Sequence, residues 1–319
     1  MSWPAALLNT LADGRFHSGA ALAAQAGISR SAVWKQVAKL AALGLDIQRV
    51  PGRGYRLAAP LELLDAARIR AGLRPPGLVP DALYIAASLP STNAWLLAHD
   101  GADPAACLAE HQSAGRGRRG RGWVSPFAAN LYLSLSWRFE ALPPQFSALS
   151  LVVGVVCAEV LAAAGAPVAL KWPNDLQLAG RKLGGILLEM TGEPPGPCRA
   201  VIGIGINWRM PEGVALDQAW ADLAGALGRR LPGRNALAAD LLNALLAMLP
   251  RFAAQGFAPW QADWERFDAL AGSPVTVHTG QAPVAGTALG VDADGALRVR
   301  TAQGVQRFWS GDVSVRGAA

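Results

Sequence analysis

The chain has 319 residues, a length that exceeds one ordinary domain and predicts two or three. Hydrophobic residues make up 52% of it, enough for a sizeable core, and 29 basic against 23 acidic residues give a net charge of +6 that favours anionic partners. The three cysteines are odd in number and lack metal-ligand spacing, so they are typical of a reducing cytoplasm, and no signal peptide is expected at the N-terminus.

Residues 1–64 have the pattern of a winged helix. Apolar periodicity predicts a helix over 4–12, Ser18 and Gly27 bound a short second helix, and Ser29 caps a third over 30–43. Two helices joined by a tight glycine turn are typical of a helix-turn-helix, and residues 46–57 add a hairpin that serves as its wing.

The charge of this segment favours DNA. It carries seven basic and three acidic residues, a net charge of +4. The side chains placed to contact DNA are Arg30, Ser31 and Lys35 at the start of the third helix and Arg53 at the wing tip. A winged helix that binds protein instead is the alternative. Because such domains usually act as dimers, we also expect a homodimer.

Residues 65–270 begin with a proline-rich stretch, 68–80, that reads as a linker. A strand is predicted over 83–87, and Ser91, Thr92 and Asn93 then open a helix. The three polar residues are explained by helix capping, and they could also orient a small polar ligand.

The segment GRGRRGRG, residues 115–122, alternates glycine with four arginines between two predicted strands, 106–110 and 130–137. It has no apolar side chain to bury, so we interpret it as a flexible cationic loop that a nucleotide or an acyl phosphate would order. A solvated basic loop and a nucleic-acid patch are the alternatives. The Gly115-x-Gly117-x-x-Gly120 spacing is not a dinucleotide fingerprint, because a strand rather than a helix follows it.

Residues 148–170 are nearly all apolar over about the length that a bilayer requires. Glu159 lies in the middle of this run and Gly165 and Pro167 interrupt it. We therefore expect a buried helix over 145–164 followed by a strand, and no membrane span.

The second polar region starts at residue 168 and reads as strand, turn at 173–175, strand, turn at 179–180 and a further strand. Lys182 enters this last strand beside Gly184 and Gly185, and a lysine there can offer a point charge to a ligand that approaches the bare backbone. Residues 201–207 repeat the glycine pattern. Tight packing of a helix on the sheet is one explanation, and a pocket floor is the one we favour.

Helices are predicted over 216–227 and 235–252, with a further one around residues 260–264. The sequence has no paired catalytic carboxylates, no Ser/His/Asp arrangement and no metal-ligand cluster, so we expect electrostatic rather than nucleophilic catalysis. Residues 271–319 show five short alternating strands with turns between them, which predicts a small β-barrel.

Taken together, several motifs resemble those of the biotin–protein ligases. They are GRGRRGR at 115–121, SPF at 125–127 with NLYL at 130–133, KWPND at 171–175, RKL at 181–183, GIL at 185–187 and GIGIN at 203–207. With the basic winged helix in front, the whole chain is similar to the bifunctional subgroup that combines biotin ligase and biotin operon repressor.

This resemblance implies an α+β protein of three domains: a winged helix over 1–64, a catalytic domain over 65–270 with a seven-stranded mixed sheet like that of class II aminoacyl-tRNA synthetases, and an SH3-like barrel over 271–319. It implies that biotin and ATP, with Mg²⁺, give biotinyl-5′-AMP, and that biotin passes to a lysine of a biotin carboxyl carrier protein, typically that of acetyl-CoA carboxylase. A cytoplasmic location follows.

The resemblance also implies roles for individual residues. Arg118, Lys182 and Asp175 would be catalytic. Biotin contacts fall on Ser91, Thr92, Asn93, Gln112, Gly115, Arg116, Gly117, Arg118, Lys182, Gly185 and Gly203. Nucleotide contacts fall on Arg118, Arg121, Trp123, Asn130, Asn174, Lys182 and Asn207, and no residue is assigned as a metal ligand.

Three positions depart from the family pattern: Gly122 where a basic residue is frequent, Ala129 where glycine is usual and Pro90 where an acid often stands. Two other functions stay open. One is a DNA-binding biotin sensor without ligase activity, which Lys182 and Arg118 argue against. The other is a lipoate ligase, which the arginine segment and the winged helix disfavour.

Overall fold

The computed structural model describes residues 5–74, 80, 82–99, 101–143, 145–192, 196–279, 282–310 and 314–317. Within these residues the strands form three sheets, of two, seven and five strands, in chain order. The two-stranded sheet belongs to a helical N-terminal unit, the seven-stranded sheet carries most of the core, and the five-stranded sheet packs against one end of it.

The N-terminal unit is the predicted winged helix. Ser18 and Ser29 cap the second and third helices, each accepting a hydrogen bond from a backbone N–H of the first turn, and Gly27 ends the second helix in the left-handed conformation at φ 64°. Its elements are α1 (Ala5–Leu11), α2 (Gly19–Ala26), α3 (Arg30–Ala42), β1 (Ile47–Val50) and β2 (Gly54–Leu57). Because the signals are local, the sequence placed each of these boundaries within one residue or two.

The expected linker is partly wrong. Ala66–Gly72 is a helix, α4, which Asp65 caps and whose Ile69 is completely buried. The helix forms because this apolar side chain has a place in the main core, which the local proline content does not reveal. Residues 75–79 of that stretch lie outside the described part of the chain.

The central sheet is mixed, in the strand order β3-β4-β5-β9-β8-β7-β6. Strands β3 and β4 are parallel, and the other neighbouring strands are antiparallel. The elements of this region are β3 (Ala82–Ala86), α5 (Thr92–Ala98), β4 (Ala105–Ala109), β5 (Leu131–Phe139), α6 (Leu149–Ala163), β6 (Val168–Lys171), β7 (Asp175–Leu178), β8 (Arg181–Gly192), β9 (Cys198–Ile206), α7 (Leu223–Leu227), α8 (Arg234–Gln255) and α9 (Gln261–Phe267).

Alternation along β9 separates the two faces of this sheet. Ile202, Ile204 and Ile206 are at most 2% exposed and pack in the main core, where α6 and α8 cover the sheet. Gly203 and Gly205 face the opposite side. The isoleucines of β9 thus pack in the core, and its glycines leave room above the opposite face of the sheet.

Two helices are long and apolar enough to cross a bilayer, Phe146–Ala163 and Arg234–Gln255. Their apolar segments are 67% and 56% buried inside the protein. The first contains the buried run that the sequence assigned to a core helix, and both pack on the central sheet as core helices.

The predicted helix over 216–227 is shorter than expected. Only Leu223–Leu227 is helical, and Asp222 caps it. The residues before it run alongside the start of β8, where Lys182 N–H donates to Ala219 O at 3.0 Å and Ala221 N–H donates to Lys182 O at 2.9 Å. These pairings to a strand replace the helical bonds.

The C-terminal unit is a five-stranded antiparallel sheet in the order β13-β12-β11-β10-β14. Its strands are β10 (Pro274–His278), β11 (Val284–Val291), β12 (Leu297–Thr301), β13 (Gly304–Phe308) and β14 (Ser314–Gly317), which matches the small β domain expected. Trp172 Nε1 donates to Gly295 O at 3.2 Å across the boundary with the central unit. The two units share one core.

The hydrogen bonds around a buried ion pair, Arg234–Glu110, join the end of the N-terminal unit to the central sheet. Arg234, with no exposed surface, places Nη1 2.7 Å from Glu110 Oε2 and 2.9 Å from Glu62 O. Its Nε and Nη2 donate to Asn130 O at 3.1 and 2.8 Å. Nearby, Phe127 packs into the winged-helix core. Residues 127–130, which follow the arginine segment, are therefore held by contacts with both units.

Candidate functional site

A cavity of about 850 Å³ lies over the glycine face of β8 and β9, below the arginine segment. This is the size range of small-molecule and cofactor sites. Fifteen of the predicted site residues line it: Ser91, Thr92, Asn93, Gln112, Arg116, Gly117, Arg118, Arg121, Trp123, Asn174, Asp175, Lys182, Gly185, Gly203 and Asn207.

One end of the cavity is a network of uncharged polar groups at the start of α5. Gln112 Oε1 accepts from Thr92 N–H at 2.8 Å and from Thr92 Oγ1 at 3.2 Å. Ser134 Oγ lies 2.7 Å from Thr92 Oγ1 and 2.5 Å from Asn93 Oδ1. Ser91 caps the helix as expected. These buried donors and acceptors can recognise a small neutral polar group with defined geometry.

A carboxylate that the sequence did not single out, Glu189, supports this end without lining the cavity. Glu189 Oε2 accepts from Asn93 Nδ2 at 2.9 Å and lies 2.8 Å from Arg116 Nη2. Glu189 thus joins the arginine segment to the floor strand β8. Its position on β8, four residues after Gly185, was the only signal in the sequence that could have indicated it.

The glycines of the floor are required by close contacts. A Cβ atom at Gly203 would lie 2.3 Å from Asn93 Oδ1, and one at Gly205 would lie 2.6 Å from the ring of Trp123. At Gly185 the nearest atom would be Trp123 Cζ3 at 3.3 Å. The indole ring therefore lies on the bare backbone, and its buried Nε1 has no hydrogen-bond partner among the described residues.

The other end of the cavity is charged. Lys182 Nζ lies 2.8 Å from Asp175 Oδ1 and 5.6 Å from the Trp123 ring centre. Arg118 donates through Nη1 to Asn174 Oδ1 at 3.3 Å and through Nη2 to Ser310 O of the C-terminal unit. The turn lies at 172–174, one residue before its predicted place, and its end at Asn174 and Asp175 brings one lysine and one arginine together.

The arginine segment has a defined conformation in this structure. Gly117 N–H donates to Arg121 O at 2.7 Å, Trp123 N–H donates to Gly115 O at 2.8 Å, and Arg119 adopts φ 58° in a single 3₁₀ turn. The ends of the segment are thereby closed on each other like a hairpin. The segment lies against the cavity, and it is not the open coil that its composition predicted.

Two predicted contact residues do not line the cavity. At Gly115, the first residue of the arginine segment, a Cβ atom would be 2.5 Å from Trp123 O. Asn130 is completely buried: its Oδ1 accepts from Trp208 N–H at 3.0 Å, and its Nδ2 is 3.4 Å from Asn207 Oδ1. Asn130 therefore contacts Asn207, which lines the cavity, without lining the cavity itself. Its hydrogen bond with Trp208 N–H holds the chain just after β9.

One wall was missed by sequence reasoning. Ala215, Leu216, Asp217, Gln218 and Trp220 line the cavity beside Lys182. In the predicted helix these side chains would point in other directions. The helix does not form there because the segment pairs with Lys182 of β8, which is distant in sequence. Tyr132 also lines the cavity, and burial raises the pKa of its hydroxyl far above the usual range, so it stays protonated and donates to Pro126 O.

The structure shows what surrounds each of the three residues that depart from the family pattern. Gly122 is exposed, and a Cβ atom there would meet nothing within 4 Å. Ala129 is buried, and the left-handed residue of that turn is its neighbour Ala128, at φ 52°. Pro90 O accepts from Ala114 N–H at 2.9 Å. None of the three disturbs a charged residue of the cavity.

The residues predicted to contact DNA are all on the surface. Arg30, Ser31 and Lys35 are exposed on the first half of α3, and Arg53 is exposed in the turn between β1 and β2. The guanidinium of Arg53 lies 4.1 Å from the ring centre of Phe16, which holds it beside the wing.

The comparisons with known proteins agree with this arrangement. Residues 85–207 match the biotin/lipoate A/B protein ligase family, residues 5–56 match an HTH domain and residues 271–316 match the biotin protein ligase C-terminal domain. The fold and the site therefore define a protein ligase of the biotin/lipoate class that carries a helix-turn-helix.

Individual relatives narrow this class. The chain is 42% identical over 320 residues to the bifunctional ligase/repressor BirA of Salmonella typhimurium, covering 99% of this chain and 98% of the relative. It is 34% identical over 245 residues to the biotin–[acetyl-CoA-carboxylase] ligase of Paracoccus denitrificans, covering 74% and 96%. A solved structure of the Aquifex aeolicus biotin protein ligase in complex with biotin and ATP superposes with a TM-score of 0.64 at 26% identity, covering 75% of this chain and all of the other. The chain belongs to the family of bifunctional biotin ligase/repressors.

Proposed function

We propose that this chain joins biotin to ATP and transfers the biotinyl group to a lysine of a biotin carboxyl carrier protein, such as that of acetyl-CoA carboxylase. In the first step an oxygen of the biotin carboxylate attacks the α-phosphorus, biotinyl-5′-AMP forms and pyrophosphate leaves. In the second step the lysine amine attacks the acyl carbon, an amide forms and AMP leaves. The observation that carries this proposal is the convergence of Lys182 and Arg118 on the 174–175 turn of one cavity.

The charged end of the cavity suits the adenylation step. The attack on phosphorus concentrates negative charge on the phosphoryl oxygens, and a preorganised ammonium and guanidinium in a partly buried site stabilise it. Lys182 has a side chain only 18% exposed. Arg121, Trp123, Asn174 and Asn207 surround the same end, and we assign the nucleotide to it.

The neutral end suits biotin. Biotin's ureido group offers both donors and acceptors, which Ser91, Thr92, Asn93 and Gln112 can match, and its apolar body can lie on the bare strand at Gly185 and Gly203. We assign Arg116 and Gly117 to the cover over it. A closed arginine segment keeps water from the acyl phosphate, which would otherwise hydrolyse.

Magnesium fits as an ion carried by the nucleotide. Among the described residues there is no group of three or more His, Cys, Asp and Glu side chains that could hold a metal. Mg²⁺ is commonly held by one or two carboxylates together with substrate phosphates, and the carboxylates of the cavity are Asp175 and Asp217. The ion would neutralise phosphate charge. We propose that Asp175 helps to place this ion or the incoming lysine.

We further propose that the chain represses transcription as a homodimer with biotinyl-5′-AMP as corepressor, with Arg30, Ser31, Lys35 and Arg53 on operator DNA. One observation supports a dimer. Strand β8 pairs with β7 only up to Gly185, and Ile186 is hydrogen-bonded to Asn174, so residues 187–192 present a sheet edge that the described strands leave open. A second copy can continue the sheet there.

We propose a division into a winged helix over 1–64, a catalytic domain over 65–270 and a barrel over 271–319, in the cytoplasm. Two observations support this location: the three cysteines are free and buried, as is typical of a reducing compartment, and the two long apolar helices pack on the central sheet.

The test is ATP-dependent incorporation of labelled biotin into a carrier domain, with mass spectrometry of the small molecule bound after incubation with biotin and MgATP. We expect biotinyl-5′-AMP and labelled carrier. The double substitution Arg118→Ala and Lys182→Ala should slow adenylation by orders of magnitude, and full-rate adenylation by this variant would refute the proposed chemistry. A protein that binds biotin and DNA but labels no carrier would instead be a sensor, and labelling with lipoate would indicate the related ligase.

The role of Asp175 is tested separately. Purified biotinyl-5′-AMP and a carrier domain allow single-turnover transfer to be followed without adenylation. Asp175→Ala should slow adenylation, transfer or both, since the carboxylate lies 2.8 Å from Lys182 Nζ. If both rates are unchanged, the carboxylate has neither role.

A further inference from the structure

Trp34 is an exposed tryptophan in the helix-turn-helix. It lies in the first half of α3 and 54% of its surface is accessible, whereas Val33 and Leu40 of the same helix are completely buried. A single exposed apolar side chain is common on a protein surface, so the exposure of Trp34 gains its meaning from the residues around it on the recognition helix.

The surroundings of Trp34 indicate what it contacts. Up to Leu40, the exposed residues of α3 are Arg30, Ser31, Trp34, Lys35, Ala38 and Lys39. They form a stripe one helical turn apart, and α3 has no acidic residue. The Trp34 ring thus lies among cations, with the small Ala38 one helical turn further on. This surface suits a polyanion that also displays apolar groups. An apolar protein partner is disfavoured, because it would bury the cations of α3 without a counter-charge.

We propose that Trp34 is a specificity-determining residue for the operator and that it contacts the C5-methyl group of one thymine in each half-site. The inference rests on the proposed repressor function and deepens it. The N-terminal residues of a recognition helix meet the base edges in the major groove, and the thymine methyl is the apolar group displayed there. The cations on either side of Trp34 bind the phosphates. These contacts position the ring at the bases, but they do not distinguish one base sequence from another.

The size of the effect follows from one methyl group. Burying it against the indole favours thymine over uracil by about fourfold for each half-site. In a symmetric dimer the two half-sites multiply to about fifteenfold. Deoxyuridine differs from thymidine only in this methyl group, so it isolates the contact.

The experiment uses the full chain with biotin and MgATP. A preferred duplex is first selected from random DNA, and fluorescence anisotropy then measures affinity for that duplex with each thymine pair in turn replaced by deoxyuridine. We expect one symmetric pair to weaken wild-type binding about fifteenfold, Trp34→Ala to bind the parent duplex more weakly and to lose this response, and Trp34→Phe to keep part of it.

Arg30→Ala is the matched control on the same face. It should weaken binding to every duplex and leave the deoxyuridine response in place. Carrier biotinylation by the Trp34 variants should equal that of the wild type, because Trp34 does not line the cavity, and thermal unfolding shows whether the winged helix is intact.

The inference is overturned if Trp34→Ala keeps the deoxyuridine response, or if its affinity for the parent duplex is unchanged. If the wild type selects no sequence at all, the repressor half of the proposed function fails and this inference fails with it. If the wild type selects DNA but no thymine responds, only the role of Trp34 is refuted.

Discussion

The substitution Gly203→Ala tests the assignment of the neutral end of the cavity to biotin. The added Cβ atom would lie 2.3 Å from Asn93 Oδ1, at least 1 Å inside normal contact, and the neighbouring atoms Cγ and Nδ2 would be 2.9 and 3.0 Å away. The glycine is in extended backbone with no positive φ, so alanine itself is tolerated by the strand. The strain falls on Asn93, which has to move.

The cost follows from the hydrogen bonds of Asn93. Its Oδ1 lies 2.5 Å from Ser134 Oγ, and its Nδ2 donates to Leu187 O at 3.2 Å and to Glu189 at 2.9 Å. A shift that breaks two of these three bonds costs about 1–3 kcal/mol. Because the same amide is proposed to bind biotin, the dissociation constant for biotin should rise about 5- to 150-fold.

The assay is biotin binding by calorimetry, followed by the steady-state KM for biotin and for ATP. Gly205→Ala is the matched control two residues away on the same face, where the Cβ atom meets the Trp123 ring at 2.6 Å instead. This variant should raise the KM for ATP and leave biotin affinity within about threefold of the wild type. Thermal unfolding of both variants shows whether the sheet is intact.

The reasoning is refuted if Gly203→Ala binds biotin as tightly as the wild type while its thermal midpoint is unchanged. It is also refuted if both variants weaken biotin binding equally, because the two ends of the cavity would then not be separate.

Arg234→Met should lower the free energy of unfolding by about 3–5 kcal/mol in urea titrations, because Glu110 is left buried without its partner. Arg266→Met, at a surface pair, should cost less than about 1 kcal/mol, and equal losses in the two variants would contradict this account. Glu189→Gln should raise the KM for biotin up to about fivefold and leave that for ATP unchanged, since the partly exposed pair with Arg116 secures the cover over one end only. The same rise in both KM values would show that Glu189 acts on the whole cavity. Burial raises the pKa of Cys107 and Cys157 to about 12, so at pH 8 only about one thiol in ten thousand is ionised and both should escape alkylation until urea unfolds the chain. Peptide mass spectrometry that finds either residue modified in the native protein would show that this core opens readily.

The two ends of the cavity place different requirements on a ligand. The polar groups at Thr92 and Gln112 are satisfied by each other in the absence of a ligand, so a ligand has to offer equivalent hydrogen bonds to displace them. At the charged end Lys182 and Arg118 also have partners within the protein, but an anionic phosphate competes for them through its charge. Specificity for the vitamin and catalysis on the phosphate can therefore reside in different residues.

Much of the chain could be predicted without tertiary information because its signals are local. Caps such as Ser18 and Ser29 act within one helical turn, and the alternation of isoleucine and glycine over 201–207 states which face is core and which is bare. The motif around Lys171 and the arginine segment are contiguous, so together with the other short motifs they indicated the family, whose resemblance named fifteen residues that line the cavity.

The tertiary structure alone decided the contacts between residues far apart in sequence. Glu189 meets Arg116 across 73 positions, and Arg234 meets Glu110 across 124, so no local pattern contains either pair. For the same reason the wall at 215–220 was expected to be helical: its hydrogen bonds go to β8, more than thirty residues earlier. Periodicity reports what a segment can form alone, whereas partners that close the cavity are chosen by the packing of the whole sheet.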